Sequence, residues 1–227
     1  MAEDDVSSSI ASTSSKKITD EEGRWVTIGV CLNKVLTPVL RKVVGKEIPN
    51  WYQNLVKPPK EINKQALGNS VKNLPPSTIN LNYININNNT VHKSSKLYDY
   101  AVKDPLSLAK LFMKPLMASF TGFDHTMDNY AVLSLVCEAQ PFYACGADVL
   151  AKKVRSEIRN AWAHCDFSYW NQLKYESALT DIESLVKAVG LTTAEENNVL
   201  DDIDHWRNNG IKLCYGNPVD CELLDLV

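Results

Sequence analysis

The chain has no cysteine pair at CxxC spacing, no glycine-rich phosphate loop, no GxSxG elbow and no apolar run of membrane-spanning length. Each absence removes a class of protein. Without CxxC pairs there is neither the usual zinc framework nor a disulfide lattice. Without the loop and the elbow, P-loop nucleotide hydrolysis and α/β-hydrolase chemistry fall away. Without the apolar run there is no transmembrane helix, so no membrane partner is expected. The opening stretch AEDDVSSSIASTSSKK lacks the apolar centre of a secretory signal, which makes a cytoplasmic protein the expectation. The six cysteines, Cys31, Cys137, Cys145, Cys165, Cys214 and Cys221, are then expected to be reduced, several of them as small core residues.

Excess positive charge is also missing. The net charge is −3, which argues against a protein that coats nucleic acid by electrostatics alone. The charge is unevenly distributed. Residues 24–72 carry nine Lys/Arg against two acids, and residues 166–227 carry four against twelve. Either one part of the molecule attracts polyanions, or the two segments pack together and neutralise each other.

What is present reads as helix. Residues 1–20 are dense in Ser, Thr and charge and read as a disordered tail; residues 216–227 read as a second tail. Between them, residues 21–215 form a single domain. The stretch RWVTIGVCLNKVLTPVLRKVVGKEI places Ile28, Cys31, Leu32, Val35, Leu36, Val39, Leu40 and Val43 at helical spacing, with Pro38 expected to end or kink the helix. Residues 73–97 are dense in asparagine and form a long loop, in which INLNYINI has the alternation of an edge strand or hairpin. Asp104 and Pro105 open another helix as N-cap and first residue. DNYAVLSLVCEA is apolar enough to be the buried central helix. A later helix carries Leu173, Leu179, Ile182, Leu185, Val186 and Val189 on one stripe and closes at Gly190; the last starts at a capping box built from Thr192 or Thr193 and Glu195 or Glu196. The fold expected is an all-α bundle with an additional N-terminal helical layer and a long Asn-rich loop.

One segment, VRSEIRNAWAHC at residues 154–165, carries residues that such a bundle does not need. On an ideal helix each residue turns by about 100°, so with Arg159 at zero, Leu150, Val154, Ile158, Ala161 and Cys165 fall at roughly 180–260° and form a core stripe. Asn160 and His164 fall near 100° and 140° by the same arithmetic, which sets Arg159, Asn160 and His164 on the side away from the core. An imidazole moves protons near neutral pH, and a guanidinium grips phosphate oxygens in a fork. Lys152, Lys153 and Arg155 precede them on the same helix, as an RNA-attracting run or as a solvated face. Plainer roles exist for each residue: Arg159 paired with Glu157 or Asp166, His164 as a charge at a helix C-terminus, Trp162 as packing.

The pattern R-N-x-x-x-H on a late helix of an all-α bundle resembles the HEPN superfamily (higher eukaryotes and prokaryotes nucleotide-binding). VRSEIRNAWAHCDF followed by WNQLKYESALTDIESLVKAVGL resembles the HEPN domains of animal multidomain proteins linked to innate immunity and ubiquitin ligation, and the resemblance extends over roughly residues 24–210. It implies a HEPN-like bundle and a homodimer in which two motifs face each other across one cleft. It also implies metal-independent endoribonuclease activity that leaves a 2′,3′-cyclic phosphate, with Arg159, Asn160 and His164 as catalytic residues, RNA as partner and no cofactor. The alternative is a non-catalytic dimerisation or protein-interaction module. Two other groups carry less. Asp201, Asp202, Asp204 and His205 point in different directions from a helix and make a poor metal shell. Asp124, His125 and Asp128 fit a loop and an N-cap.

Overall fold

Thr19 starts the structured chain through a reciprocal cap: its hydroxyl accepts from the Glu22 amide at 3.2 Å, and the Glu22 carboxylate accepts from the Thr19 amide at 2.7 Å. The computed structural model describes residues 18–66, 81–88 and 98–214, and every regular element among them is helical. Helix α1 (Asp20–Val30) passes through a π-helical turn (Cys31–Leu36) directly into α2 (Thr37–Leu55). The short α3 (Pro105–Lys110) follows, then α4 (Asn129–Glu138) and α5 (Ala147–Lys153). A second π-helical turn (Val154–Arg159) links α5 to α6 (Asn160–Ala163), and α7 (Gln172–Ala188) and α8 (Thr193–Leu213) complete the bundle.

The long first segment does not end at Pro38. Proline has no amide hydrogen to give and crowds the carbonyl four residues back. The π turn just before it widens the helix, with the Thr37 amide reaching five residues back to the Leu32 carbonyl, and the helix continues to Leu55. The stretch NWYQNLV is accordingly the end of α2 rather than a separate helix. Of the two readings of INLNYINI, loop or short strand, the described part from Leu81 onward holds no strand. Tyr83–Ile86 form a single 3-10 turn, with Tyr83 buried and the Asn85 amide donating to the Lys110 and Met113 carbonyls at 2.6 and 2.9 Å. The rest of residues 73–97, apart from 81–88, lies outside the described residues, as do residues 1–17 and 215–227; Thr19 and Asp20, expected in the first tail, instead cap and open α1.

The core runs along α1 and α2. Ile28, Leu32, Leu36 and Leu40 are fully buried, against Leu133, Leu135 and Val136 of α4 and Leu179, Ile182, Leu185 and Val186 of α7. Each such side chain contributes about 1.5–3 kcal/mol of burial. Helix α4 packs on α2 and α5, α7 on α5 and α8, and α8 on α1. Two close approaches need glycine. A Cβ on Gly210 of α8 would lie 2.5 Å from the Thr27 hydroxyl of α1, and one on Gly29 would lie 2.6 Å from the Trp162 indole nitrogen.

The caps follow local chemistry. Asp104 caps α3 with Pro105 as first residue, Asp128 caps α4, Thr192 and Glu195 form the box at α8, and Gly190 turns the chain after α7 with φ of +74°. Leu173 departs from its expected stripe: it is 84% exposed, one residue inside α7 and before that helix meets its neighbours. Basic and acidic segments do meet, through a Lys42–Glu195 ion pair between α2 and α8. Cys31 and Cys137 are buried free thiols, pushed up to about 12 by burial; Cys145, Cys165 and Cys214 are free as well, and Cys221 lies outside the described residues. Among the described residues no helix is long and apolar enough to cross a membrane.

Candidate functional site

Arg159 closes the second π turn and Asn160 opens α6. A π turn advances each residue by a smaller angle than an α turn, so positions beyond it lag behind the ideal wheel. The observed inward stripe is therefore Ala147, Ala151, Val154 and Ile158, all buried, continued by the half-buried Trp162. Leu150 and Ala161 are partly buried and packed against the core, whereas Cys165 is exposed, which corrects the expected stripe at that position. Trp162 stacks on Trp25 with ring centres 5.6 Å apart, accepts the Trp25 indole proton on its carbonyl at 2.8 Å, and backs onto Gly29. Its role is packing.

The same lag brings Arg159 inward. It is half-buried against α4 instead of standing clear of the body. Its Nε donates to the Asn129 amide oxygen at 3.0 Å, an Nη donates to the Asn160 amide oxygen at 3.4 Å, and the guanidinium lies 5.0 Å from the centre of the Tyr130 ring. Neither Glu157 nor Asp166 pairs with it, and among the described residues no carboxylate does. A cation that has lost part of its water but met no anion keeps its full charge available to a ligand.

Behind Arg159 stands a row of amides. Asn129, 6% exposed, donates its Nδ2 to the Asn33 Oδ1 at 2.8 Å, and Asn33 donates its own Nδ2 to the Gly29 carbonyl at 2.9 Å. A backbone carbonyl can only accept, so Gly29 fixes the Asn33 amide, which fixes Asn129 with its oxygen toward Arg159. Asn33 sits in the first π turn and Arg159 ends the second. Inspection of the sequence did not single out Asn33, Asn129 or Tyr130. The signal for the asparagines was available: each is a lone amide beside a run of apolar residues that reads as core.

His164 is exposed at the end of α6, its amide bonded to the Asn160 and Ala161 carbonyls at 3.2 and 3.3 Å. Among the described residues its ring has no hydrogen-bond partner. Cys165 then adopts φ of +55°, a left-handed conformation that costs a residue with a side chain about 1–2 kcal/mol, and turns the chain out of the helix. Arg159 and Asn160 are thus brought together, while His164 stands apart, about 7.5 Å farther along the axis at 1.5 Å per residue.

The run Lys152, Lys153 and Arg155 is not one free basic face. Lys153 pairs with Asp181 of α7 at 2.8 Å. Arg155 donates to the Ser134 hydroxyl at 3.0 Å, lies 3.8 Å from the buried Glu138 carboxylate and flanks the Tyr130 ring at 5.8 Å. Lys152 alone is exposed without an ion pair among the described residues. The remaining clusters are structural. Asp124 holds the Thr126 amide and hydroxyl, Asp128 caps α4, and the Arg41 Nε donates to the Met127 carbonyl at 2.6 Å. Asp201, Asp202, Asp204 and His205 are exposed around α8, and no group of metal-ligating side chains is found among the described residues. Comparison with protein-family models, with curated proteins and with solved structures gives no match.

Proposed function

We propose that the chain is a HEPN-type RNA-binding domain in which Arg159 holds a phosphate, with Asn160 and His164 completing an endoribonuclease site between two copies of the chain. One observation carries this reading: Arg159 is half-buried, oriented on two sides, and has no carboxylate partner among the described residues. A guanidinium so held grips phosphate oxygens without first breaking an ion pair, and it offsets charge that builds on them. The reaction implied is attack of a ribose 2′-hydroxyl on its own phosphodiester. The P–O5′ bond breaks, a 2′,3′-cyclic phosphate remains, and His164 carries the proton between hydroxyl and leaving oxygen.

That the His164 ring has no orienting partner among the described residues favours a second reading, a binding or dimerisation module without catalysis, because a general base is ordinarily held by a third group. Labelled single-stranded RNA incubated in EDTA with wild type, Arg159→Ala and His164→Ala separates the two. Cleavage lost in both variants supports the nuclease. Binding lost only in Arg159→Ala, without cleavage by any of the three, supports the module. Light scattering that gives a strict monomer at high concentration, with and without RNA, removes the dimeric site from both.

A further inference from the structure

We infer that Asn129 is a positioning residue which holds Arg159 through a neutral amide so that its charge stays open to an anion, and that Asn33 braces that amide from behind. The inference rests on the reading of Arg159 as a phosphate-binding group, and it adds how the fold keeps that group ready. Three facts carry it. Asn129 is buried and both ends of its amide are used, the oxygen by Arg159 and the nitrogen by Asn33. The row is anchored at its far end on a backbone carbonyl that can only accept and meets at its near end a guanidinium that can only donate, so both ends require the same polarity. Position 129 is also the first residue of α4, where a helix favours negative charge.

The last fact sharpens the point. A carboxylate would suit the start of α4 and would bind a guanidinium more strongly than an amide does. It would also neutralise Arg159. The amide supplies the same geometry and leaves the charge uncompensated, as an anion-binding arginine requires.

The test uses the whole chain as wild type, Asn129→Asp, Asn129→Ala and Arg159→Ala. Affinity for a labelled single-stranded oligoribonucleotide is measured over a salt series, and modification of Arg159 by phenylglyoxal is followed by peptide mass mapping. Asn129→Asp keeps the size of the side chain and creates an ion pair with Arg159, at the loss of the donor to the Asn33 oxygen. Its salt slope should fall by about 0.7, the value for one lost phosphate contact on a single strand, as in Arg159→Ala, and Arg159 should react several-fold more slowly. Asn129→Ala should keep the slope and bind several-fold more weakly, because the cation remains but is no longer held. A merely structural Asn129 would move neither the slope nor the reagent selectively. Equal losses in both variants with an unchanged slope, and unchanged modification of Arg159, would overturn the inference. If Asn129→Asp does not fold, Asn33→Ala decides. It removes the acceptor for the Asn129 nitrogen and leaves that amide held at one end only, so binding should weaken and Arg159 should react faster; wild-type behaviour in both overturns the inference. Failure of the wild type to bind RNA removes the proposed function instead, and the reagent still reports on the brace.

Discussion

Arg159 and Arg207 are both partly buried arginines on late helices, and they are partnered in opposite ways. Arg207 of α8 is gathered by three carboxylates: Glu183 in a close ion pair, with Glu176 and Asp204 at 3.4 Å. Burial alone would lower its pKa, but Glu183, Glu176 and Asp204 outweigh burial and raise it above its ordinary value. Arg159 meets two amides and an aromatic ring. The first arrangement ties α8 to α7 and leaves nothing for a ligand. The second leaves the cation under-compensated, which a fold tolerates where something else completes it. The contrast distinguishes an arginine that staples from one that waits.

Exchanging the two roles is the most direct way to break the comparison. Arg159→Ala should weaken single-stranded RNA binding on the order of 100-fold, the size of a charge-assisted hydrogen-bonded contact, while Arg207→Ala changes it little; polarisation titrations at one fixed salt concentration check both. Stability should respond in the reverse sense. Arg207→Ala leaves Glu183, with about a fifth of its side chain exposed, without its partner, and should cost about 2 kcal/mol in urea denaturation after allowance for solvent screening; Arg159→Ala should cost less than about 1. Gly29→Ala tests the packing behind the amide row. Its methyl would press on Trp162, so a loss of about 1–2 kcal/mol is expected, together with weaker RNA binding because the Asn33 anchor shifts.

The smallest expected effect concerns the ion pair between α2 and α8. Lys42, with the Thr192 amide and hydroxyl, holds Glu195 at about 2, below its ordinary 4.5. A lowered carboxylate pKa stabilises the fold above the unfolded value, and that contribution is lost as pH falls from about 4.5 through about 2. Carboxyl NMR titration of Glu195 in wild type and Lys42→Met should show the midpoint rising in the variant, with RNA binding at neutral pH unaffected.

Much of this molecule could be read before its coordinates. Caps are local: Asp104 with Pro105, Asp128, Thr192 with Glu195, and Gly190 each act within a few residues, and all stand where the sequence put them. Apolar spacing likewise identified the stripes of α2 and α7, apart from Leu173. The π turns were not legible, because no residue type marks an i to i+5 bond and the turn is held by what packs around it. That omission left two features unforeseen, the continuation of the helix beyond Pro38 to Leu55 and the partial burial of Arg159 against α4. The amide row was hidden for a different reason. Asn33 and Asn129 are 96 residues apart, and a bond across that distance leaves no trace in local periodicity.

The wide turn at Val154–Arg159 also makes the reading frame of the surface a tunable quantity. Removing one residue there would let the segment relax into an ordinary α-helix with the elements on either side kept in register, because the wide turn is what absorbs the extra residue. Trp162 would keep its seat on Trp25. A single-codon deletion in a regular turn of α5 has no such slack: everything downstream would swing by about 100° relative to the body, leaving the amino-acid content of the motif untouched and disconnecting it from the scaffold that aims it.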